Sequence, residues 1–174
     1  IKLYLSISPE LYLKRLIIGG MDKVFTMARN FRNEGIDKWH NPEFTMMEIY
    51  QSYADYNDMM ELFEDICEFT CKKLHGTTKI EYQDQLIDFK KPWKRISMAD
   101  AIKKYAKIDV LKMTDKELLK FVKTNKVKYK DDSWGLLVKA IFEHYCEKQL
   151  IQPTFIIDHP KETTPLCKVH RKDP

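Results

Sequence analysis

A chain of 174 residues with 44% apolar and 12% aromatic side chains carries enough apolar material to bury a core, which excludes a disordered tail. No stretch reaches the roughly 20 uninterrupted apolar residues of a membrane helix, and Ile1-Lys2-Leu3-Tyr4-Leu5 is not a signal peptide, so a cytoplasmic protein without a membrane partner is expected. The net charge of +4 hides an asymmetry: residues 41–70 hold eight carboxylates and no Lys or Arg, whereas residues 86–130 hold fourteen Lys or Arg against five carboxylates, a basic stretch suited either to a phosphate backbone or simply to water.

In chain order, residues 1–8 alternate Leu3, Leu5 and Ile7 with Tyr4, Ser6 and Ser8, the period of a half-buried strand. Because this alternation is already running at Ile1, a preceding segment is expected. Ser8-Pro9-Glu10 opens a helix, since a proline near a helix start gives up no hydrogen bond, and Leu11, Leu13, Leu16 and Ile17 form its stripe until Gly19-Gly20. Strands over about 23–34 and 44–53, joined by the polar loop 35–43, read as an antiparallel hairpin.

A helix over 55–74 follows, with Met59, Phe63, Ile66, Cys67, Cys71 and Leu74 on its apolar side and Gly76 as its stop. Residues 77–132 differ in kind: a short hairpin within 79–89, then helices beginning at Ser97 and at Thr114, the latter with Glu117 completing a capping box. An amphipathic helix over 133–150 and a short apolar strand over 153–157 close the pattern. The four cysteines have neither the spacing of a zinc site nor a paired motif and read as reduced, mostly buried thiols, so no metal ligand is expected among them.

The segment richest in chemistry runs from Arg29-Asn30-Phe31-Arg32-Asn33-Glu34-Gly35 through His40-Asn41-Pro42-Glu43-Phe44-Thr45-Met46-Met47-Glu48-Ile49-Tyr50. Period-2 geometry places Arg32 with Glu34 on one face of the first strand, and Phe44, Met46, Glu48 and Tyr50 on one face of the second. A guanidinium, two carboxylates, a ring and a phenol on one hairpin face describe a polar pocket. Spacing alone leaves two uses open: a ligand site, or an internal Arg32–Glu48 or Arg32–Glu34 ion pair that compensates a buried charge.

These residues resemble motif 2 of the class II aminoacyl-tRNA synthetases, and within them the lysyl-tRNA synthetases. Ala54-Asp55-Tyr56 and Ser8-Pro9-Glu10-Leu11-Tyr12-Leu13-Lys14-Arg15-Leu16 match the same enzymes; the likeness is close over about 3–75 and looser over 134–166. Aspartyl enzymes usually carry Arg-Gln-Pro-Glu-Phe where this chain has His40-Asn41-Pro42-Glu43-Phe44. A tRNA-independent paralogue that lysylates an elongation factor tends to have Leu-Glu-Trp-Tyr in place of Met47-Glu48-Ile49-Tyr50, so Ile49 favours the tRNA enzyme.

The resemblance implies an α+β fold, an antiparallel sheet flanked by helices, here incomplete: catalytic core over 1–76, an inserted mixed or helical module over 77–132, and a return to the core over 133–174 that stops before motif 3. It implies activation of lysine by ATP and transfer to tRNA(Lys), with Mg²⁺ as cofactor and a homodimer in the intact enzyme. Arg32 would act on the α-phosphate and also touch the lysine carboxylate; Asn33, Glu34, His40, Asn41 and Phe44 would complete the ATP site, Phe44 by stacking on adenine. Glu10, Glu48 and Tyr50 would receive the lysine side chain. No metal ligand is expected within 1–174. Lys161-Glu162-Thr163-Thr164-Pro165-Leu166 resembles the family's strand toward the second half of the site, but Cys167-Lys168-Val169-His170 departs from its small residue and paired Arg. The alternatives are the protein-lysylating paralogue and a non-catalytic regulatory module that keeps the fold.

Overall fold

The computed structural model describes residues 2–38, 40–164 and 166–170, in two compact units, 1–59 and 60–174. The first is a hairpin with one helix. Strand β1 (Lys23–Phe31) pairs antiparallel with β2 (Glu43–Gln51) in nine residue pairs from Lys23↔Gln51 to Phe31↔Glu43. Residues alternate between a covered face and an open one: Val24, Thr26, Ala28 and Asn30 lie opposite Tyr50, Glu48, Met46 and Phe44 on the covered face, while Phe25 and Met27 stand on the open face. Helix α1 (Glu10–Ile18) packs on both strands and buries Leu13.

The expected strand over 1–8 does not form among the described residues 2–8. One backbone bond, from the Phe31 N–H to the Ser6 carbonyl at 2.8 Å, joins this segment to β1, and a single bond is no ladder; Leu3, Leu5 and Ile7 are correspondingly exposed. β1 also ends three residues before the expected Glu34. The Arg32 N–H still reaches the Pro42 carbonyl at 2.9 Å, but the next bond turns back, from the Glu34 N–H to the Arg32 carbonyl at 2.8 Å.

Helix α2 (Tyr56–His75) begins in the first unit and continues in the second. It stops at Gly76, whose φ of 71° is the left-handed conformation that suits a residue without Cβ, and whose N–H donates to the Lys72 carbonyl at 2.9 Å.

In the second unit, β3 (Lys79–Tyr82) and β4 (Gln85–Asp88) form the expected hairpin, closed by Gln83 and Asp84 at φ 49° and 62°, the two-residue turn whose twist matches its strands. β5 (Lys94–Ser97) was not anticipated; Ser97 ends it and also caps α3 (Met98–Tyr105), its Oγ accepting from the Asp100 N–H at 3.0 Å. Thr114 caps α4 (Asp115–Thr124) in the expected capping box: its N–H donates to the Glu117 carboxylate at 2.8 Å and its Oγ1 accepts from the Glu117 N–H at 3.4 Å.

After α5 (Trp134–Tyr145) the chain enters β6 (Thr154–Ile157), which pairs with β5 in parallel, Lys94↔Thr154 to Ser97↔Ile157. This corrects the expectation of antiparallel pairing alone. A helical crossover returns the chain to the same end of the sheet, and parallel strands require such a crossover. Among the described residues of 161–166 no strand forms either: Lys161–Thr163 is a 3₁₀ turn, drawn in by the Thr163 N–H and hydroxyl, both donating to the Pro160 carbonyl, and Pro165 lies outside the described residues.

The core of this unit joins α3, α4 and α5 through Ala101, Ile102, Val110, Leu118, Val122, Leu137 and Ile141, none of them more than marginally exposed. Gly135, in the first turn of α5, is required by close approach: a Cβ there would lie 2.8 Å from the Pro160 Cβ. The lysines of 103–130 all point to water, so the basic stretch is a surface. Free cysteines follow the expected reading for Cys71 and Cys146, both buried, with burial pushing the Cys146 thiol up to about 11; Cys167 is exposed.

Among the described residues of this unit, one charge is buried. Glu64, on α2 and 2% exposed, accepts from the Arg95 guanidinium at 3.1 Å and from the Trp93 N–H at 2.9 Å. Arg95 in turn lies 5.6 Å from the centre of the Phe155 ring, which stacks on Trp93 at 5.4 Å. A carboxylate in this position is tolerable only while its cation is present. Arg95→Met is therefore expected to destabilise the protein by about 3–5 kcal/mol, and the double change with Glu64→Leu to recover much of that loss, both read from denaturant midpoints.

Candidate functional site

The covered face of the β1–β2 hairpin brings Phe44, Glu48 and Tyr50 together, as strand periodicity requires. Glu48 faces Thr26, and its carboxylate is held at both oxygens. The Ser8 hydroxyl donates to Oε1 at 2.7 Å and the Tyr50 hydroxyl to Oε2 at 2.8 Å. Burial pushes the Tyr50 phenol well up from its ordinary value, and the nearby carboxylates of Glu48 and Glu10 push it further, so Tyr50 remains a neutral donor.

Glu10 stands at the first position of α1, where its charge suits the helix N-terminus, and pairs with Lys14 one turn on. The Lys14 ammonium also sits 5.9 Å from the centre of the Tyr50 ring. An internal ammonium thus already rests between a carboxylate and an aromatic ring at this face, an arrangement chemically suited to a primary amine.

Arg32 follows the end of β1. Its Nε donates to the Ile7 carbonyl at 3.3 Å, and its guanidinium carbon lies 5.3 Å from the centre of the Phe44 ring. Neither ion pair left open by the sequence, with Glu48 or with Glu34, forms among the described residues. The guanidinium is thus stacked and anchored at Nε, with no carboxylate paired to its paired nitrogens. Such a fork matches phosphate or carboxylate oxygens.

Glu34 is not on the face that holds Glu48, because the strand has ended before it; it is exposed with Asn33 and Asn41 on the connecting loop. His40 lies on the same loop, where its N–H donates to Asp37 Oδ1 at 2.8 Å and its Nδ1 lies 2.9 Å from Oδ2. The Asp37 carboxylate raises the His40 pKa above its ordinary value, through the hydrogen bond first and its charge second. Asn33, Glu34, His40 and Asn41 are therefore on one loop and not in a closed cluster.

Ser8, Lys14 and Asn30 were not singled out from the sequence. Asn30 is fully buried on the Phe44 side, accepting from the Ser6 hydroxyl and donating to the Ala28 carbonyl, both at 3.3 Å. A polar residue at an inward position of an alternating strand was the available signal for Asn30; Ser8 stood in the sequence only as part of the segment that opens the helix. No group of three or more His, Cys, Asp or Glu among the described residues is arranged to hold a metal ion. A cavity of about 480 Å³ in the second unit, lined among others by Trp134, Asp158, His159 and Glu162, contains none of the expected site residues.

His40 yields a pH prediction. With its folded value raised, the ring stays protonated to higher pH than an unpaired histidine, and the attraction to Asp37 fades as pH rises through that value. A proton NMR titration is expected to place its midpoint above 6.5, and Asp37→Asn to bring it back down.

The whole chain, residues 1–174, matches the model of the family described as tRNA synthetases class II (D, K and N). Among curated relatives, it is 51% identical to the lysine–tRNA ligase of Clostridium novyi (strain NT) over 98% of this chain and 34% of the relative. The corresponding values are 51%, 98% and 35% for that of Clostridium kluyveri, and 47%, 100% and 34% for that of Thermosipho africanus. The chain spans about a third of the length of these relatives. Matched along its full length and at about half identity to these relatives, this chain belongs to the class II tRNA synthetases of the aspartate, lysine and asparagine group.

Proposed function

We propose that the protein carrying this chain is a lysine–tRNA ligase of the cytoplasm, which activates lysine with ATP and transfers the lysyl group to tRNA(Lys). The observation that carries the reading is the Glu48 carboxylate, fixed by two hydroxyls and without a paired cation among the described residues, on the strand face that also holds Phe44, against which Arg32 lies. Relatives named lysine–tRNA ligase at about half identity support it over a protein-lysylating paralogue or an inactive module.

In this reading Glu48 and Glu10 receive the ε-ammonium of lysine, and Tyr50, kept neutral, directs its hydroxyl at Glu48 and its ring toward the substrate stem. A neutral amino acid would leave a partly desolvated carboxylate unpaired, which is the source of selectivity. The lysine carboxylate attacks the α-phosphorus of ATP; an O–P bond forms, the bond to the bridging oxygen breaks, and pyrophosphate leaves. Arg32 supplies hydrogen bonds to the carboxylate and to the α-phosphate oxygens, where charge grows in the transition state. Phe44 stacks against adenine, and Asn33, Glu34, His40 and Asn41 complete the nucleotide site, His40 near the terminal phosphates. The tRNA terminal hydroxyl then attacks the carbonyl carbon and releases AMP.

Mg²⁺, which such chemistry uses to offset phosphate charge, finds no ligand cluster among the described residues. Residues 77–132 are read as an inserted module, and the working enzyme as a homodimer.

The test is lysine-dependent ATP–pyrophosphate exchange by the full-length enzyme. Glu48→Gln is expected to lower kcat/KM for lysine by about 100-fold while leaving the KM for ATP within about twofold. Arg32→Lys, which keeps the charge and loses the fork, is expected to lower kcat by about 10²–10³. Undiminished lysine use by Glu48→Gln would remove the assignment.

A further inference from the structure

Of the two hydroxyls that hold Glu48, the Tyr50 hydroxyl comes from the same strand two residues on, and the Ser8 hydroxyl from forty residues earlier in the chain. Ser8 is thus the side chain that ties this carboxylate to the start of α1. Its Oγ also accepts from the Glu10 N–H at 3.1 Å. A serine hydroxyl has one proton and lone pairs to spare; with the Glu10 N–H on a lone pair, the proton is left for Glu48. Pro9, which follows, is buried, makes no side-chain cap for α1, and restricts the backbone of the residue before it. The hydroxyl is therefore held in one place by its backbone and by both of its partners.

We propose that Ser8 is a positioning residue for amino-acid specificity: it sets the spacing between the Glu48 carboxylate and the first turn of α1, so that Glu48 and Glu10 converge on a primary ammonium at the end of a four-carbon chain. The proposal rests on the lysine-pocket reading above. Geometry places the carboxylates in one locale: Glu48 accepts from the Tyr50 hydroxyl at 2.8 Å, and the Lys14 ammonium paired with Glu10 lies 5.9 Å from the centre of the Tyr50 ring. Both carboxylates accordingly push the Tyr50 phenol up. Without Ser8, Glu48 keeps one hydroxyl and gains rotameric freedom, and the α1 N-terminus loses the acceptor for the Glu10 N–H. A pocket with a loosened carboxylate discriminates chain length poorly.

The experiment compares Ser8→Ala, Ser8→Thr and Glu48→Gln in the full-length enzyme by ATP–pyrophosphate exchange with lysine and with ornithine, one methylene shorter, alongside thermal unfolding of each. Ser8→Ala is expected to raise the KM for lysine about tenfold, with kcat and the KM for ATP within about twofold. The preference for lysine over ornithine is expected to fall by a similar factor, and Ser8→Thr, which keeps the hydroxyl, to restore both. An unchanged KM and preference in Ser8→Ala, with Glu48→Gln strongly impaired, overturns the role of Ser8 and leaves the pocket standing. A parallel loss of kcat and of affinity for both substrates, with a lowered Tm, overturns it in favour of a purely structural role. If Glu48→Gln itself is unimpaired, the lysine pocket and the proposal fall together.

Discussion

Everything at the hairpin depends on register. β1 and β2 meet in nine consecutive pairs, and because side chains alternate with a period of two, a slip of one residue would carry Phe44, Glu48 and Tyr50 to the face now occupied by Phe25 and Met27. The register is secured from both ends. At one end Arg32 extends the ladder to Pro42, and at the other the Ser52 N–H reaches the Asp22 carbonyl at 2.8 Å. α1 covers one face only, so the two faces are not interchangeable: one offers Leu13 and Ser8 as partners, the other offers water.

The carboxylates of Glu64 and Glu48 are satisfied in different ways. Glu64 is deeply buried and has a cation and a backbone donor, a closed arrangement that asks for no ligand. Glu48 is half-buried and bonded only by neutral hydroxyls, which orient it without cancelling its charge. A carboxylate so held keeps its attraction for a cation that arrives from outside. Arg32 is complementary: anchored at Nε and stacked on Phe44, it leaves its terminal nitrogens for an oxyanion. A carboxylate and a guanidinium within the same unit are the two groups on which the proposed binding of an amino acid beside a phosphate rests.

The second unit shows how a parallel strand pair arises from local signals. β5 and β6 are four residues each and would not pair on their own strength; they are brought into register by α3, α4 and α5, whose shared core is continuous from Met98 to Cys146. α5 is its centre, buried at six of twelve positions, and Gly135 allows the Pro160 turn to close over the start of that helix.

Local signals in the sequence were enough for elements whose cause is local. The caps at Ser97 and Thr114, the stop at Gly76, the hairpin between Lys79 and Asp88, and the alternation that sets Phe44, Glu48 and Tyr50 on one face each depend on residues a few positions apart. The family resemblance, too, was carried by short motifs and is matched along the whole chain. Tertiary structure decided what depends on distant partners. The alternation of residues 2–8 is that of a strand, yet a strand needs a ladder, and among the described residues of this segment only Ser6 has a backbone bond to β1. Glu34 has the right parity for the Glu48 face, but parity has meaning only while the strand continues, and it ends at Phe31. Lys94 to Ser97 became a strand because β6, nearly sixty residues later, was placed beside it. The Ser8 hydroxyl meets Glu48 across forty residues of chain, and no periodicity records a contact of that kind.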